Sequence, residues 1–409
     1  MQKRRAALRR SATEWAIRGL LALGAAALAV ASLRQTSALL IRQNDPARAH
    51  ALAPQDGRLT GLLAQSLSVA EATAAQRDRA EVLARRALLQ DPTSVDAVAT
   101  LGIGAQIKGD TKRARRLYAY AQELSRRHLS TQLWAIEDAV SRGDVAAAIG
   151  HYDIALRTNR QAPELLFPIL VGSLAEPSIR AALARTLAAR PVWGASFIEY
   201  AAASGTDPKA VAAFFRLLGE SGTTVRGNAQ AQLINTLLSR NLPEEAWRYY
   251  VFLHPGADRR MSRDPFFRSP VSDPSLFDWL PVNDAGISAS IQHDNGGNFL
   301  DFAAPPSVGG PIVQQTQLLP PGVYRLEGRS ENIEQPAETS PFWTLTCPDG
   351  RQLGRVPVPN SAQNKGMFSG SLSIPADCPR QTLVLMAQPS DAASGLSGQI
   401  KDVRLRPTS

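Results

Sequence analysis

The sequence is poor in the residue types on which most catalytic and metal centres depend. It holds two cysteines and five histidines in 409 residues, and the histidines are scattered. It contains no nucleophile elbow, phosphate-binding loop, HExxH or CxxC motif, and no carboxylate pair in a recognisable catalytic context. We therefore expect a non-catalytic protein with no catalytic residues, no metal and no cofactor.

Aromatic residues are also scarce, at 6% of the chain, which favours helices packed closely through alanine. Basic residues are concentrated at the start, where residues 1–34 carry seven Lys or Arg against one Glu. No basic run follows, so nucleic acid is not an expected partner. Residues 270–409 carry nine basic against thirteen acidic side chains.

The N-terminal segment predicts a membrane helix. Residues 19–33 carry no charge, and residues 15–33 are long enough for a helix at 1.5 Å per residue to cross a hydrocarbon core of about 30 Å. The basic tail, 1–14, should stay in the cytoplasm. We predict a transmembrane helix over 15–34, with the bulk of the chain in the periplasm of a bacterium.

A cleaved signal peptide is the alternative for this segment. Residues 29–31 read Ala-Val-Ala, which is similar to a cleavage site that follows a compact apolar core. Cleavage after Ala31 would leave a soluble periplasmic protein. Both interpretations place residues 35–409 outside the cytoplasm.

A 34-residue spacing predicts helical repeats over 35–255. Gly, Ala, Tyr and Ala recur in two units, and a third unit and two later positions share parts of the pattern. These repeat-defining residues are Ala80, Ala87, Pro92, Gly102, Gly109, Ala114, Tyr118, Ala121, Gly143, Ala148, Tyr152, Ala155, Ala246 and Tyr250. Asp110 and Asp144, which follow the two repeat glycines, are suited to begin helices.

This pattern resembles tetratricopeptide repeats, most clearly over 75–160. The resemblance implies stacked helix pairs in which alanine allows close approach and an aromatic residue fills the gap between pairs. It also implies a concave groove that binds extended peptides or partner helices. We expect envelope proteins as partners.

The period changes to two in the C-terminal part, after a proline-rich linker at 256–275. Short alternating segments separated by turns, such as 287–292 and 323–326, predict an antiparallel, jelly-roll-like β-sandwich over 276–409. Cys347 and Cys378 both lie in this domain, and in an exported protein they are expected to form a disulfide. Two buried thiols are the alternative.

The sandwich resembles the carbohydrate-binding-module superfamily. The resembling segments are Phe277-Asp278-Trp279, residues 321–324 and residues 398–403. If the domain touches polysaccharide, Phe342 and Trp343 are the candidate glycan contacts. Trp343 shares a strand face with Leu345 and Cys347 and is expected in the core, whereas Phe342 lies on the other, more exposed face.

The combination of anchor, array and sandwich resembles accessory proteins of bacterial exopolysaccharide synthesis or export. It predicts a membrane-anchored scaffold or assembly factor at the inner membrane. The alternatives are a scaffold for a secretion, pilus or division complex, and a protein that binds or cleaves a glycan.

Overall fold

The computed structural model describes residues 12–269, 272–294, 297–390 and 395–408. Helices occupy its N-terminal part and two antiparallel sheets its C-terminal part, as the sequence predicts. The chain divides into two compact units, which we call unit 1 (residues 1–162) and unit 2 (residues 163–409). Most of the predicted basic tail, residues 1–11, lies outside the described residues.

The first helix, α1 (Ala12–Ile41), is 30 residues long. An 18-residue window within its stretch Thr13–Ile41 has a mean hydropathy of 1.9, and the stretch is long enough to cross a membrane. Leu20, Leu23 and Leu28 are about three-quarters exposed, so nothing in the fold covers this surface. Length and composition fit an anchor and a signal sequence equally.

The end of α1 belongs to the folded part of unit 1. Ala38 is fully buried in a small cluster with Ala49 and Leu59, which lie on the next two helices. The remaining helices of unit 1 are α2 (Pro46–Leu52), α3 (Gly57–Ser66), α4 (Ala74–Gln90), α5 (Val95–Ile107), α6 (Thr111–Leu124), α7 (Leu129–Ser141) and α8 (Val145–Thr158).

Local chemistry sets the limits of these helices. Gly109 and Gly143 adopt φ of +78° and +70°, which glycine tolerates at helix ends. The Asp110 carboxylate then accepts a hydrogen bond from the Arg113 amide, and Asp144 does the same for the Ala147 amide. The predicted starts of α6 and α8 are confirmed. The result is a repeat-like array of helix pairs.

Unit 2 begins with helices and ends with the sandwich. Its helices are α9 (Ala162–Gly172), α10 (Pro177–Ala188), α11 (Gly194–Ser204), α12 (Pro208–Glu220), α13 (Gly227–Ser239) and α14 (Pro243–Leu253), with a short 3-10 turn after α9. α11 ends just before Gly205, which adopts a φ of +63°, and α12 ends at Glu220. The Ala246 side chain is fully buried.

The sandwich consists of two five-stranded sheets with the orders β1-β4-β9-β6-β7 and β2-β3-β10-β5-β8. Its strands are β1 (Leu280–Pro281), β2 (Ser288–Asp294), β3 (Gly297–Ala304), β4 (Gly310–Gln317), β5 (Gly322–Glu331), β6 (Phe342–Thr346), β7 (Gln352–Pro357), β8 (Met367–Ile374), β9 (Gln381–Ala387) and β10 (Leu396–Pro407). The predicted disulfide between Cys347 and Cys378 is present, with the two Cα atoms 5.8 Å apart.

The segment predicted as a linker, 256–275, contributes side chains to the interior of unit 2. Phe267 is fully buried in the sandwich core. The Arg263 guanidinium lies over Trp247 and Tyr250 of α14 and over Phe277, at 5.0–5.7 Å from the ring centroids. This burial lowers the pKa of Arg263 to about 10. These contacts join α14 to the segment that leads into the sandwich. The helices before the predicted boundary at 255 therefore belong to the same unit as the sandwich, and the division between units falls at residue 162.

Two further hydrogen bonds join the helices of unit 2 to its sandwich. Arg380, two residues after Cys378, donates to the Leu238 carbonyl at the end of α13 over 3.1 Å. The Asn235 side chain on the same helix accepts from the Leu276 amide at 2.8 Å. The segment that follows the disulfide is therefore hydrogen-bonded directly to a helix.

Candidate functional site

An open groove of about 780 Å³ in unit 1 gathers side chains from several helices. Its walls come from α3, from the starts of α5 and α7, and from the segments that precede α5 and α7. Leu39 and Arg42, at and just beyond the end of α1, lie at one margin, and Asn159 and Gln161 lie after α8.

A hydrogen-bond network fixes the floor of the groove. His128 Nδ1 lies 2.7 Å from Thr131 Oγ1, and His128 Nε2 lies 3.1 Å from Asp96 Oδ1. Gln65 Nε2 reaches both His128 Nε2 and Ser130 Oγ at 3.1 Å. These contacts hold the end of α3 against the starts of α5 and α7, so the groove is a preformed surface.

Exposed arginines dominate the charge of the groove. Arg42, Arg58 and Arg127 line it, and all three are exposed. Arg58 pairs with Asp91 at 3.2 Å, but its side chain remains 78% accessible. Asp96 is the one carboxylate among the described lining residues, and it faces His128. An arriving ligand would therefore meet a net positive surface.

The repeat-defining residues of unit 1 pack mostly between its helices. Gly102 on α5 allows α6 to approach, because a Cβ at that position would lie 2.7 Å from Tyr118 Cε2. Tyr118 in turn stacks on Trp134 of α7, with the ring centroids 4.2 Å apart. Ala80, Ala87, Ala114, Ala121, Ala148, Tyr152 and Ala155 are also buried.

No motif in the sequence marks the groove residues, but several of them are spaced by the repeat period. Leu59, Thr93, Arg127 and Gln161 all line the groove, and they are spaced by 34 residues. The period was anchored on small and aromatic residues that pack between helices. The same period, taken at the helix starts and in the segments before them, marks the groove.

A smaller concavity of about 420 Å³ lies between α6, α7 and α8. Its charges are already paired: Asp138 accepts hydrogen bonds from Arg115 at 2.9 Å and from Arg142 at 3.1 Å. His151 contacts Gln132 at 2.9 Å, and burial lowers the pKa of this histidine. The pairing leaves this site less suited to a charged ligand than the larger groove.

The candidate glycan contacts are not available for stacking. Trp343 is fully buried in the sandwich core, as its strand position predicts. Phe342, which was expected to be more exposed than Trp343, has a side chain that is only 8% accessible. The Arg355 guanidinium lies 3.7 Å from the centre of the Phe342 ring and covers one face. Neither ring offers a free face to a sugar.

The described residues contain no group of three His, Cys, Asp or Glu side chains that could hold a metal ion. The two cysteines are joined as the disulfide. The groove of unit 1 has a hydrogen-bonded floor, exposed arginines and leucine side chains in its walls.

No protein-family model matches this chain, and no curated protein matches it. Among solved structures, it is similar to the enzymatically active domain of bacteriophage CBA120 tailspike protein 4, with 12% identity, a TM-score of 0.22, and coverage of 33% of this chain and 20% of that chain. This chain thus spans only a fifth of that structure.

Two further solved structures are similar to about a third of the chain. One is a glycosylation-associated protein complex from Streptococcus agalactiae, with 13% identity, a TM-score of 0.21 and coverage of 32% of this chain and 44% of that one. The other is a carbohydrate-binding module of Cellvibrio mixtus lichenase 5A in complex with cellotriose, with 12% identity, a TM-score of 0.22 and coverage of 32% and 98%.

Proposed function

We propose that this protein is a non-catalytic, membrane-anchored scaffold that binds envelope proteins through the groove of unit 1. The observation that carries the proposal is the groove itself, which is preformed by the His128 network and lined by positions that recur every 34 residues. A surface built from repeats suits an extended partner, because each repeat offers a similar set of contacts.

Two features of the chain support the cellular location that we propose. α1 supplies one apolar helix near the N-terminus, and the disulfide is typical of an oxidising compartment. Together with the basic N-terminal tail, they support export of the array and sandwich to a bacterial periplasm, and we propose that α1 stays uncleaved as an anchor in the inner membrane. A soluble periplasmic protein remains the alternative if α1 is removed.

The pathway we propose is polysaccharide synthesis or export. This choice rests on the combination of an anchored repeat-like array, which resembles tetratricopeptide repeats, with a jelly-roll-like sandwich. The sandwich then serves as a docking partner for the helices of unit 2. Any contact with polymer would use a surface other than Phe342 and Trp343, because both side chains are buried.

The test is affinity capture of the full-length protein from detergent-solubilised membranes, with bound proteins identified by mass spectrometry. The fragment 35–409 is captured in parallel, so that contributions of α1 are separated from those of the folded units. We expect polymerase, copolymerase or export components of a polysaccharide pathway. Recovery of a secretion, pilus or division complex without any such component would contradict the pathway and leave the scaffold role.

A further inference from the structure

The groove of unit 1 opens close to where the apolar helix ends. Leu33 is the last residue of the uncharged segment, and Leu39, six residues later on the same continuous helix, lines the groove. Six residues of α-helix span about 9 Å. Burial of Ala38 against Ala49 and Leu59 fixes this end of α1 to the array. An anchored protein would therefore hold the groove at the membrane surface.

The chemistry of the groove selects its ligand by charge. Arg42, Arg58 and Arg127 face the opening, and Asp96 is the only carboxylate among the described lining residues. Asp96 offsets one of these three positive charges, and the described lining remains net positive. A ligand with several carboxylates would gain favourable contacts along the whole groove.

The groove also carries features that suit a polypeptide. Gln43, Gln65 and Gln161 bring amide groups, which can both donate to and accept from a peptide backbone. Leu62 and Leu129 provide apolar wall for side chains. A lipid headgroup would use the arginines but would have no need of leucines or a cavity of about 780 Å³.

From this arrangement we infer that the groove binds an acidic, extended juxtamembrane segment of another membrane protein. The inference rests on the proposed scaffold function and on an uncleaved α1, and it adds the chemistry and position of the partner's segment. The partner segment would lie within a few residues of its own membrane helix, because the groove is about 9 Å beyond the apolar stretch.

The test uses the full-length protein in nanodiscs of zwitterionic lipid. The probe is a fluorescent twelve-residue peptide with four glutamates among leucine and glycine, and the matched probe carries glutamine at those four positions. We expect the glutamate peptide to bind about tenfold more tightly, which is the effect of a few exposed ion pairs, and to weaken as salt rises. Equal binding of the two peptides would overturn the inference.

Matched variants locate the binding. The triple change Arg42→Gln, Arg58→Gln and Arg127→Gln should abolish the preference for glutamate. The control triple makes the same charge change at exposed positions outside the groove, with Arg79→Gln, Arg113→Gln and Arg116→Gln. It should keep the preference for the glutamate peptide. Circular dichroism checks that both variants fold. Equal loss in both triples would indicate unspecific attraction and contradict the groove.

Two further arms separate the other outcomes. Anchoring the glutamate peptide to the disc by a C-terminal lipid should raise its apparent affinity, because the tether increases its concentration near the groove. If the groove triple changes only binding to vesicles with anionic lipid, the ligand is a headgroup and the inference fails. If the groove triple still captures partners, the protein is a scaffold that does not depend on these arginines, and the inference fails. If the wild-type protein captures no partner, the scaffold function itself fails.

Discussion

The two helical regions of the chain solve the same packing problem with different side chains. In unit 1, Ala84, Ala87 and Ala121 are fully buried and the helices approach closely. In unit 2, a chain of rings fills the space between helices, with Phe197 5.3 Å from Phe167 and 6.2 Å from Phe214. The 34-residue pattern fades after residue 160, where aromatic rings occupy much of the space between helices, although alanines such as Ala201 and Ala246 are still buried there.

This difference teaches where repeat recognition from sequence works. Close helix pairs require a small residue at fixed positions, so their spacing is visible along the chain. Ring-filled interfaces accept several arrangements of bulky side chains, and the period is lost although the helices remain. This contrast between small-residue and aromatic packing can be tested by substitutions, beginning with the largest expected effect on stability.

Truncation of one ring in the row of aromatic side chains in unit 2 should have the largest effect on stability. Phe197 is fully buried, and Phe197→Ala would leave a cavity among three neighbouring rings. We expect the free energy of unfolding of unit 2 to fall by about 3–5 kcal/mol, measured by chemical denaturation. Val192→Ala, at a side chain that is 83% exposed, should change it by less than about 0.5 kcal/mol.

Removal of the disulfide should act on unit 2 alone. The bond closes a loop with a sequence separation of 31, so Cys347→Ser together with Cys378→Ser should cost about 3–4 kcal/mol in the entropy model. Hydrogen exchange should show faster opening in the sandwich and at the end of α13, where Arg380 caps Leu238. Equal acceleration across unit 1 would show that the units are not separate.

Two glycines on α5 offer a direct test of close packing in unit 1. Gly102→Ala should lower the free energy of unfolding by about 1–3 kcal/mol, because the new methyl group would meet the Tyr118 ring. Gly104 has nothing within 4 Å of a Cβ. Gly104→Ala should therefore stabilise unit 1 by about 0.5–1 kcal/mol through helix propensity. Similar effects at both positions would contradict the account.

The smallest effect concerns an ion-pair link between α4 and α5. Hydrogen bonds from Lys108, and then from Arg85, hold the pKa of the Glu81 carboxyl at about 2. A lowered pKa means that this stabilisation is present above the ordinary value of 4.5 and is lost as pH falls towards 2. The exposure of these side chains limits its size to a fraction of a kcal/mol.

The measurement is unfolding of unit 1 between pH 5 and pH 2 in wild type and in Glu81→Gln. The variant should lose less stability over this range, because it has no carboxylate to protonate. Glu71→Gln removes the same charge from an exposed position and should follow the wild type. Identical pH profiles for all three proteins would show that the link contributes nothing.

The sequence predicted the order of helices and strands and much of the packing, but not every strand. The alternating segments 287–292 and 323–326 overlap β2 and β5, as predicted. β4 was missed because its glutamines look like loop residues, yet Gln315 and Gln317 are fully buried. Gln315 donates to the Arg263 carbonyl, a contact that only the folded unit 2 creates.

The candidate site was harder to predict for a related reason. Alanines and glycines of the repeat are dictated by contacts between neighbouring helices, which sequence spacing reports. The groove depends on side chains from three helices, such as Gln65, Asp96 and His128, that meet only after the helices stack. Phe342 shows the same limit, since its covering by Arg355 comes from a neighbouring strand.

The most direct test of the central claim is photo-crosslinking in living cells from a photoreactive amino acid placed at Leu62 or Gln161, both in the groove. Leu89, which is 89% exposed and lies outside the groove, is the control position. The account predicts one recurring membrane-protein adduct from both groove positions and none from the control. Adducts of equal yield from all three positions, or none from the groove, would contradict it.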